Sequence, residues 1–169
     1  MILVRRDRDR EVNFTMDTAV TFRIATSDDL AIIIKLMVEL IDELGAGDGN
    51  KDIKERLPDD IATALSSELV CFFLAFDGEQ CIGLSRGDIL SSDPIFRLRS
   101  DNRCGYVDQM YVQPQYRRTG IGAQLLSKCE GWFKEQDIGH VLLHAAVRAI
   151  RFYARAGYQS NREMFKKLT

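Results

Sequence analysis

Tyr106-Val107-Asp108-Gln109-Met110-Tyr111-Val112 is followed without a break by Gln113-Pro114-Gln115-Tyr116, Arg117-Arg118-Thr119-Gly120-Ile121-Gly122 and Ala123-Gln124-Leu125-Leu126-Ser127-Lys128-Cys129-Glu130-Gly131-Trp132-Phe133. The first seven residues are rich in β-branched and aromatic side chains, which predicts a strand. Pro114 has no N–H to donate and stops a ladder there. Beyond Thr119 the apolar residues Ile121, Leu125, Leu126, Cys129 and Phe133 trace one face of an α-helix. The stretch therefore reads as strand, tight turn and helix, with two arginines and two glycines at the junction.

A helix start leaves its first N–H groups without partners, and the helix dipole makes that end positive. An anion such as a phosphate suits such a place. Glycine at 120 and 122 lets an anion approach the backbone, and Arg117 and Arg118 add charge beside it. The reading is a pyrophosphate seat of backbone N–H groups from Arg118 to Ala123, through Thr119, Gly120, Ile121 and Gly122. The plainer reading of an isolated Gly-x-Gly also stands: a turn that uses glycine for shape and arginine for solubility. Neither familiar phosphate loop fits. No Gly-x-x-x-x-Gly-Lys-Ser/Thr occurs, and the third glycine of Gly-x-Gly-x-x-Gly would fall on Leu125.

At 169 residues the chain is long enough for one domain with a substantial core. A hydrophobic content of 46% and a charged content of 28% are ordinary for a globular protein. A net charge of −2, with no wider basic stripe, argues against a nucleic-acid partner. No apolar run approaches the ~20 residues of a membrane span, so no membrane partner is expected. Cys71, Cys81, Cys104 and Cys129 form no Cys-x-x-Cys pair, and His140 and His144 sit in a strand-like run. No metal site is expected. The cysteines read as reduced core filler, and with no signal peptide the chain reads as cytoplasmic.

Residues 1–20 alternate in charge and predict a mobile arm, with Met16 a second possible start. Residues 21–169 then predict a single domain. Thr21 to Ile24 reads as a first strand. Thr26-Ser27-Asp28-Asp29 is a helix-entry signal, and Leu30 to Leu44 keeps a helical period closed by Gly45 to Gly49. Residues 51–66 predict a second helix that Pro58 breaks or starts. Leu69 to Phe76 and Gln80 to Leu90 predict strands joined at Asp77-Gly78, with a polar loop from Ser91 to Asn102. After the central stretch, Gly139 closes the helix. Val141 to Ala145 predicts a strand, Ala149 to Ala156 a short helix with Gly157 beyond it, and Met164 to Leu168 a last strand. The order is β-α-α-β-β-β-α-β-α-β, an α/β (α+β) layered fold with a mixed sheet.

The junction pattern Arg/Gln-x-x-Gly-x-Gly/Ala, after a strand ending in Val112-Gln113-Pro114, resembles motif A of the GNAT family of acyl-CoA-dependent N-acetyltransferases. Arg117, Gly120 and Gly122 match it. The predicted topology is similar to that family over residues 21–168, and the resemblance implies a mixed, mostly antiparallel central sheet with helices on both faces. Ala149, Phe152, Tyr153, Gly157 and Tyr158 resemble motif B, whose usual Asn is replaced here by Ala146. The resemblance implies acetyl-CoA as co-substrate. Its pyrophosphate would lie on the junction and its pantetheine along the backbone of Met110, Tyr111 and Val112. The loss of the Asn puts cofactor affinity in doubt more than chemistry.

Acetyl transfer to an amine needs a polarised carbonyl, a neutral amine and a protonated leaving thiolate. An alkyl amine arrives protonated at neutral pH, so a base is required. Asp108, which interrupts an otherwise apolar strand where the family often carries a carboxylate, is the candidate base, unless it is only a solvent-facing strand residue. Tyr153 matches the family tyrosine that protonates the thiolate and also contacts the cofactor. Its alternative is an amphipathic core tyrosine. The acceptor would be a small-molecule or peptide amine. Glu39, Asp42, Glu43, Asp48, Asp52, Asp59 and Asp60 either welcome a cationic amine or form solvated helix faces. The resemblance allows a homodimer. A catalytically idle acyl-CoA sensor is the competing function, since fold and cofactor seat do not establish turnover.

Overall fold

A computed structural model describes residues 19–45, 50–91 and 103–160. The N-terminal arm, the loop over 92–102 and the last strand at Met164 to Leu168 fall outside the described residues.

The chain runs through β1 (Thr21–Ile24), α1 (Leu30–Leu44), α2 (Asn50–Leu65), β2 (Val70–Asp77), β3 (Gln80–Ser91), β4 (Arg103–Val112), α3 (Ile121–Glu135), β5 (Val141–Leu143) and α4 (Ile150–Arg155). The five strands lie side by side in chain order. Neighbours are antiparallel except β4 and β5, which are parallel because α3 carries the chain back between them. This is the mixed, mostly antiparallel sheet expected.

Six consecutive buried residues, Cys71 to Phe76, make β2 a strand covered on both faces. One core lies under α1 and α2, where Ile33, Leu36, Met37, Leu57 and Ile61 meet Phe72, Leu74, Leu84 and Tyr111. The other lies under α3, where Ile121, Leu125, Leu126, Cys129 and Phe133 meet Phe73, Ile82, Ile89 and Val107. Helices therefore cover both faces. The five α3 residues picked out by periodicity are the ones it buries.

Thr26 is the N-cap of a 3-10 turn, Ser27–Asp29, that leads into α1: its N–H donates to Asp29 Oδ2 at 2.8 Å, and Arg23 pairs with the same carboxylate at 2.7 Å. Gly45 closes the helix at φ +66°. Several boundaries differ from the sequence reading. Pro58 sits inside α2 on its exposed side, leaving the Lys54 carbonyl without its usual donor. The helix α3 ends at Glu135, and Asp137 rather than Gly139 takes the left-handed turn, at φ +60°. Strand β4 starts three residues before Tyr106, at Arg103. Strand β5 stops at Leu143, because β4 diverges from it there. Ala149 belongs to a 3-10 turn, Val147–Ala149, that precedes α4, while Gly157 follows that helix at φ +94° as expected.

All four cysteines are buried and free. Among the described residues no helix is long and apolar enough to cross a membrane, and no cluster of His, Cys, Asp or Glu could hold a metal.

Two glycines set how closely α3 lies on the sheet. A Cβ on Gly87 would stand 2.6 Å from Cys129 Sγ, and one on Gly105 would stand 2.8 Å from a Phe133 ring carbon. Neither position has room for a side chain, so the sheet meets α3 through bare backbone here.

Candidate active site

Strand β4 has two different edges. Against β3 it is paired over its full length, from Ser91↔Arg103 to Gly83↔Val112. Against β5 the pairing covers only Gly105, Tyr106 and Val107. From Asp108 to Val112 the second edge has no strand partner among the described residues. The two strands splay into a wedge beside Met110, Tyr111 and Val112. A register shift helps. Arg86 faces Gln109 and Gly87 faces Val107, so Asp108 is the extra residue of a bulge. A bulge bends and twists its strand, which turns the end of β4 away from β5.

At the end of β4 the chain turns through Pro114–Tyr116 into α3. The Arg117 N–H is taken by the Pro114 carbonyl at 3.3 Å, and the Thr119 hydroxyl donates to the Tyr116 carbonyl at 2.6 Å. Arg118 has φ +66° and Gly120 φ +91°, so the turn bends through the left-handed region twice. Gly120 is the N-cap of α3 and offers no side chain to cap it. The first bond into the helix is Gln124 N–H to Gly120 carbonyl at 3.1 Å. The N–H groups of Ile121, Gly122 and Ala123 have no backbone acceptor among the described residues. They emerge beside the wedge, where a Cβ on Gly122 would lie 3.5 Å from Met110 Cε and 3.7 Å from the Phe152 ring. Those are ordinary contacts, so packing alone does not require glycine at 122. A small residue there keeps side-chain bulk away from the start of α3, where the free N–H groups lie. The residues present thus fit a pyrophosphate.

The two arginines of the junction divide their roles. Arg117 donates from Nε to the Val112 carbonyl at 2.8 Å and from its terminal nitrogens to both oxygens of Glu43 on α1. Its guanidinium also lies over the Tyr111 ring. This arginine fastens the turn to α1. Arg118 is exposed, and it carries the positive charge beside the helix start. Glu43 also accepts from Arg148, at 2.8 Å, across the mouth of the wedge. The Arg117 guanidinium, against the opposing effect of burial and with help from Arg148, holds the Glu43 carboxyl below the usual carboxylate range. Nothing local in the sequence marks the Glu43–Arg148 pair, because its partners are 105 positions apart.

Tyr153, on α4, is half-buried among Phe152 and Tyr158, and its hydroxyl points at Met110 Sδ, 3.7 Å away. That puts the phenol at the unpaired edge of β4. Burial raises its pKa above the ordinary 10, so the proton stays on at neutral pH. Ala146 is the N-cap of the 3-10 turn before α4 and makes no side-chain cap, where an Asn would have offered one. His144 lies just past β5 with Nδ1 2.5 Å from the Tyr106 hydroxyl.

Asp108 faces the other side of the sheet. It lines a cavity of about 360 Å³ between α1, α2 and the sheet, with Arg86, Gln109 and Asp60 as the other polar walls. Arg86 Nη1 stands 3.5 Å from Asp108, while its Nη2 donates to Asp88 at 2.6 Å. Sequence reasoning missed Arg86. The available signal was Arg86 and Asp88 at alternate positions of an apolar strand, which puts both on one face. Asp88 is buried, and burial raises its carboxyl above the usual value against the pull of Arg86.

Of the acidic residues named on α1 and α2, the three on α1 are engaged elsewhere. Asp42 pairs with Lys54, Glu39 accepts from Gln113 at 3.1 Å, and Glu43 holds the two arginines. Asp48 falls outside the described residues.

Known proteins share this fold. The protein matches human N-alpha-acetyltransferase 30 at 29% identity over 97 residues, 56% of this chain and 25% of that one. It thus spans about a quarter of the length of that relative. A GCN5-related N-acetyltransferase of Ralstonia eutropha superposes with a TM-score of 0.81 at 22% identity, covering 89% of this chain and 99% of the other. A predicted acetyltransferase of Clostridium acetobutylicum, solved with acetyl-CoA, gives 0.80 at 22% identity, covering 88% and 96%. These likenesses establish the fold. The family profile of the acetyltransferases (GNAT) matches residues 37–158, which include α2, the wedge, the uncapped start of α3 and Tyr153, and the chain belongs to that family.

Proposed function

We propose that the protein moves an acetyl group from acetyl-CoA directly to a primary amine. The observation that carries this reading is the uncapped start of α3 lying beside the unpaired edge of β4. One feature suits a pyrophosphate and the other an extended pantetheine arm. Free N–H groups from Arg118 to Ala123, with the Arg118 charge, would hold the diphosphate. The open backbone of Met110 to Val112 would take the arm as an additional strand does. An N–H of that edge would polarise the thioester carbonyl.

Acid and base approach this edge from opposite faces. Tyr153 belongs to the α3 side, and Asp108 lines the cavity on the α1–α2 side. An amine reaching the carbonyl from the cavity would pass a proton to Asp108, directly or through water. The nitrogen–carbon bond forms, the carbon–sulfur bond breaks, and Tyr153 donates its proton to the departing thiolate. A covalent acyl-cysteine route is disfavoured. Burial pushes the Cys129 thiol up to about 12 and Cys71 up to about 11, and raises Cys81 and Cys104.

The test is release of coenzyme A thiol from acetyl-CoA in the presence of amines, for the wild type and Asp108→Asn. Amine-dependent release, cut at least tenfold by the substitution, is the expected result. Tight acetyl-CoA binding with no amine able to speed thiol release would leave the idle sensor as the function.

A further inference from the structure

The cavity that ends on Asp108 has walls of two kinds. Met37, Leu40, Ile41 and Leu44 of α1 and Ile53, Leu57 and Ile61 of α2 supply the apolar part, with Phe72 beneath. Leu44 and Ile53 are 55% and 42% exposed, so apolar surface continues to the rim. The polar end is narrow and presents mainly acceptors. The Gln109 side-chain N–H donates to Asp108 Oδ2, and a carboxylate can only accept there. That fixes the amide orientation, with Gln109 Oε1 buried away from the cavity and its N–H on the base. The one cation at this end, Arg86, is already shared between Asp88 and Asp108.

Building on the acetyl-transfer reading above, we propose that the acceptor is a primary amine on an apolar stem. The stem lies between α1 and α2, and the amino group donates to Asp108 at the polar end. Gln109 is then a positioning residue, because its side-chain N–H holds the Asp108 carboxylate in place. A polycation is a poor match. Of the carboxylates on α1 and α2, Asp60 alone lines the cavity, and a second ammonium group would have to lie among leucines and isoleucines.

The experiment measures kcat/KM at saturating acetyl-CoA for ethylamine, butylamine and hexylamine. Alongside run a tripeptide with leucine first and a free α-amine, spermidine and kanamycin. Efficiency should climb about fourfold per added methylene until the stem fills the cavity. Spermidine and kanamycin should be the poorest acceptors. The peptide and the alkylamines carry the same chemistry, and their ranking identifies which source the site takes. Ile53→Asp, at a half-exposed rim position that tolerates the change, should lower hexylamine turnover at least tenfold and move ethylamine less than twofold. Gln109→Leu keeps the volume but removes the N–H that holds Asp108, and should lower kcat for every amine about tenfold with KM within twofold. A flat alkyl series, or a preference for spermidine or kanamycin, overturns this proposal and leaves acetyl transfer standing. No thiol release with any amine overturns both.

Discussion

Gly122→Asp separates the proposed anion seat from the stability of the fold, because it should move the two in opposite directions. Gly122 is the second residue of α3. The nearest atoms to a new Cβ would be Met110 Cε at 3.5 Å and the Phe152 ring at 3.7 Å, so the backbone has no reason to shift. A carboxylate in the first turn of a helix is favoured by the dipole by about 0.3–1 kcal/mol, and glycine is a poor helix former. The variant should therefore be more stable by about 1 kcal/mol, which raises Tm by about 2–4 °C in a chain of this size. Binding moves the other way. A carboxylate about 5 Å from each of two phosphate charges repels each by about 0.8 kcal/mol in water and about 3 kcal/mol at an effective dielectric of 20. The turn is exposed, so the watery limit sets a floor of about 1.6 kcal/mol, or about 15-fold in Kd. Calorimetric titration with acetyl-CoA at low and high salt measures the loss, which should shrink as salt screens it. Thermal unfolding of the free protein measures the gain. Binding within threefold of wild type would refute the seat. A variant that lost stability together with affinity would refute the geometric reasoning.

Tyr153→Phe should lower kcat about 10–100-fold with acetyl-CoA affinity unchanged. In the wild type this acid must be protonated to act, and burial holds its pKa above 10, so the pH–rate profile should show no falling limb from it below pH 10. Gly105→Ala should destabilise by about 1–3 kcal/mol, since the new Cβ would meet the Phe133 ring at 2.8–2.9 Å; urea titration should show a lower midpoint at constant slope. Asp29 is the acid-sensitive point of the α1 entry. Arg23, opposed by burial and aided by Thr26, lowers its carboxyl from the ordinary 3.8 to about 2. The folded state holds the proton more weakly than the unfolded chain. Its contribution is thus complete above about pH 4 and disappears as pH falls towards 2. Asp29→Asn should flatten the loss of stability across that window, read by unfolding at stepped pH.

Local patterning determined much of this protein. The five-residue apolar stripe of α3 needed only a 3.6-residue period to declare its buried face, and Phe133 and Cys129 are buried as that stripe requires. Gly120 was legible for a similar reason: a strand ending at Val112 and a helix starting at Ile121 leave few residues to reverse direction, and a left-handed turn favours glycine. The junction residues, Tyr153 and Asp108 could be singled out because each belongs to a short motif or breaks a local pattern. Boundaries such as the ends of α3 and β5 were less legible. They depend on where neighbouring strands part, and local propensity carries no information about that.

Tertiary structure alone decided what those side chains face. Two arginines side by side look alike in sequence, yet Arg117 is held by Glu43, 74 positions away, while Arg118 stays exposed at the helix start. The acidic residues of α1 and α2 read either as a cationic-substrate surface or as solvated helix faces until packing paired Asp42 with Lys54 and Glu43 with Arg117 and Arg148. The register shift that makes Asp108 an extra residue arises only from the pairing of two strands. The cavity it ends in needs two helices and a sheet to form. Periodicity and turn chemistry act over a few residues and can be read along the chain, whereas ion pairs, wedges and cavities join residues that only the folded backbone brings together.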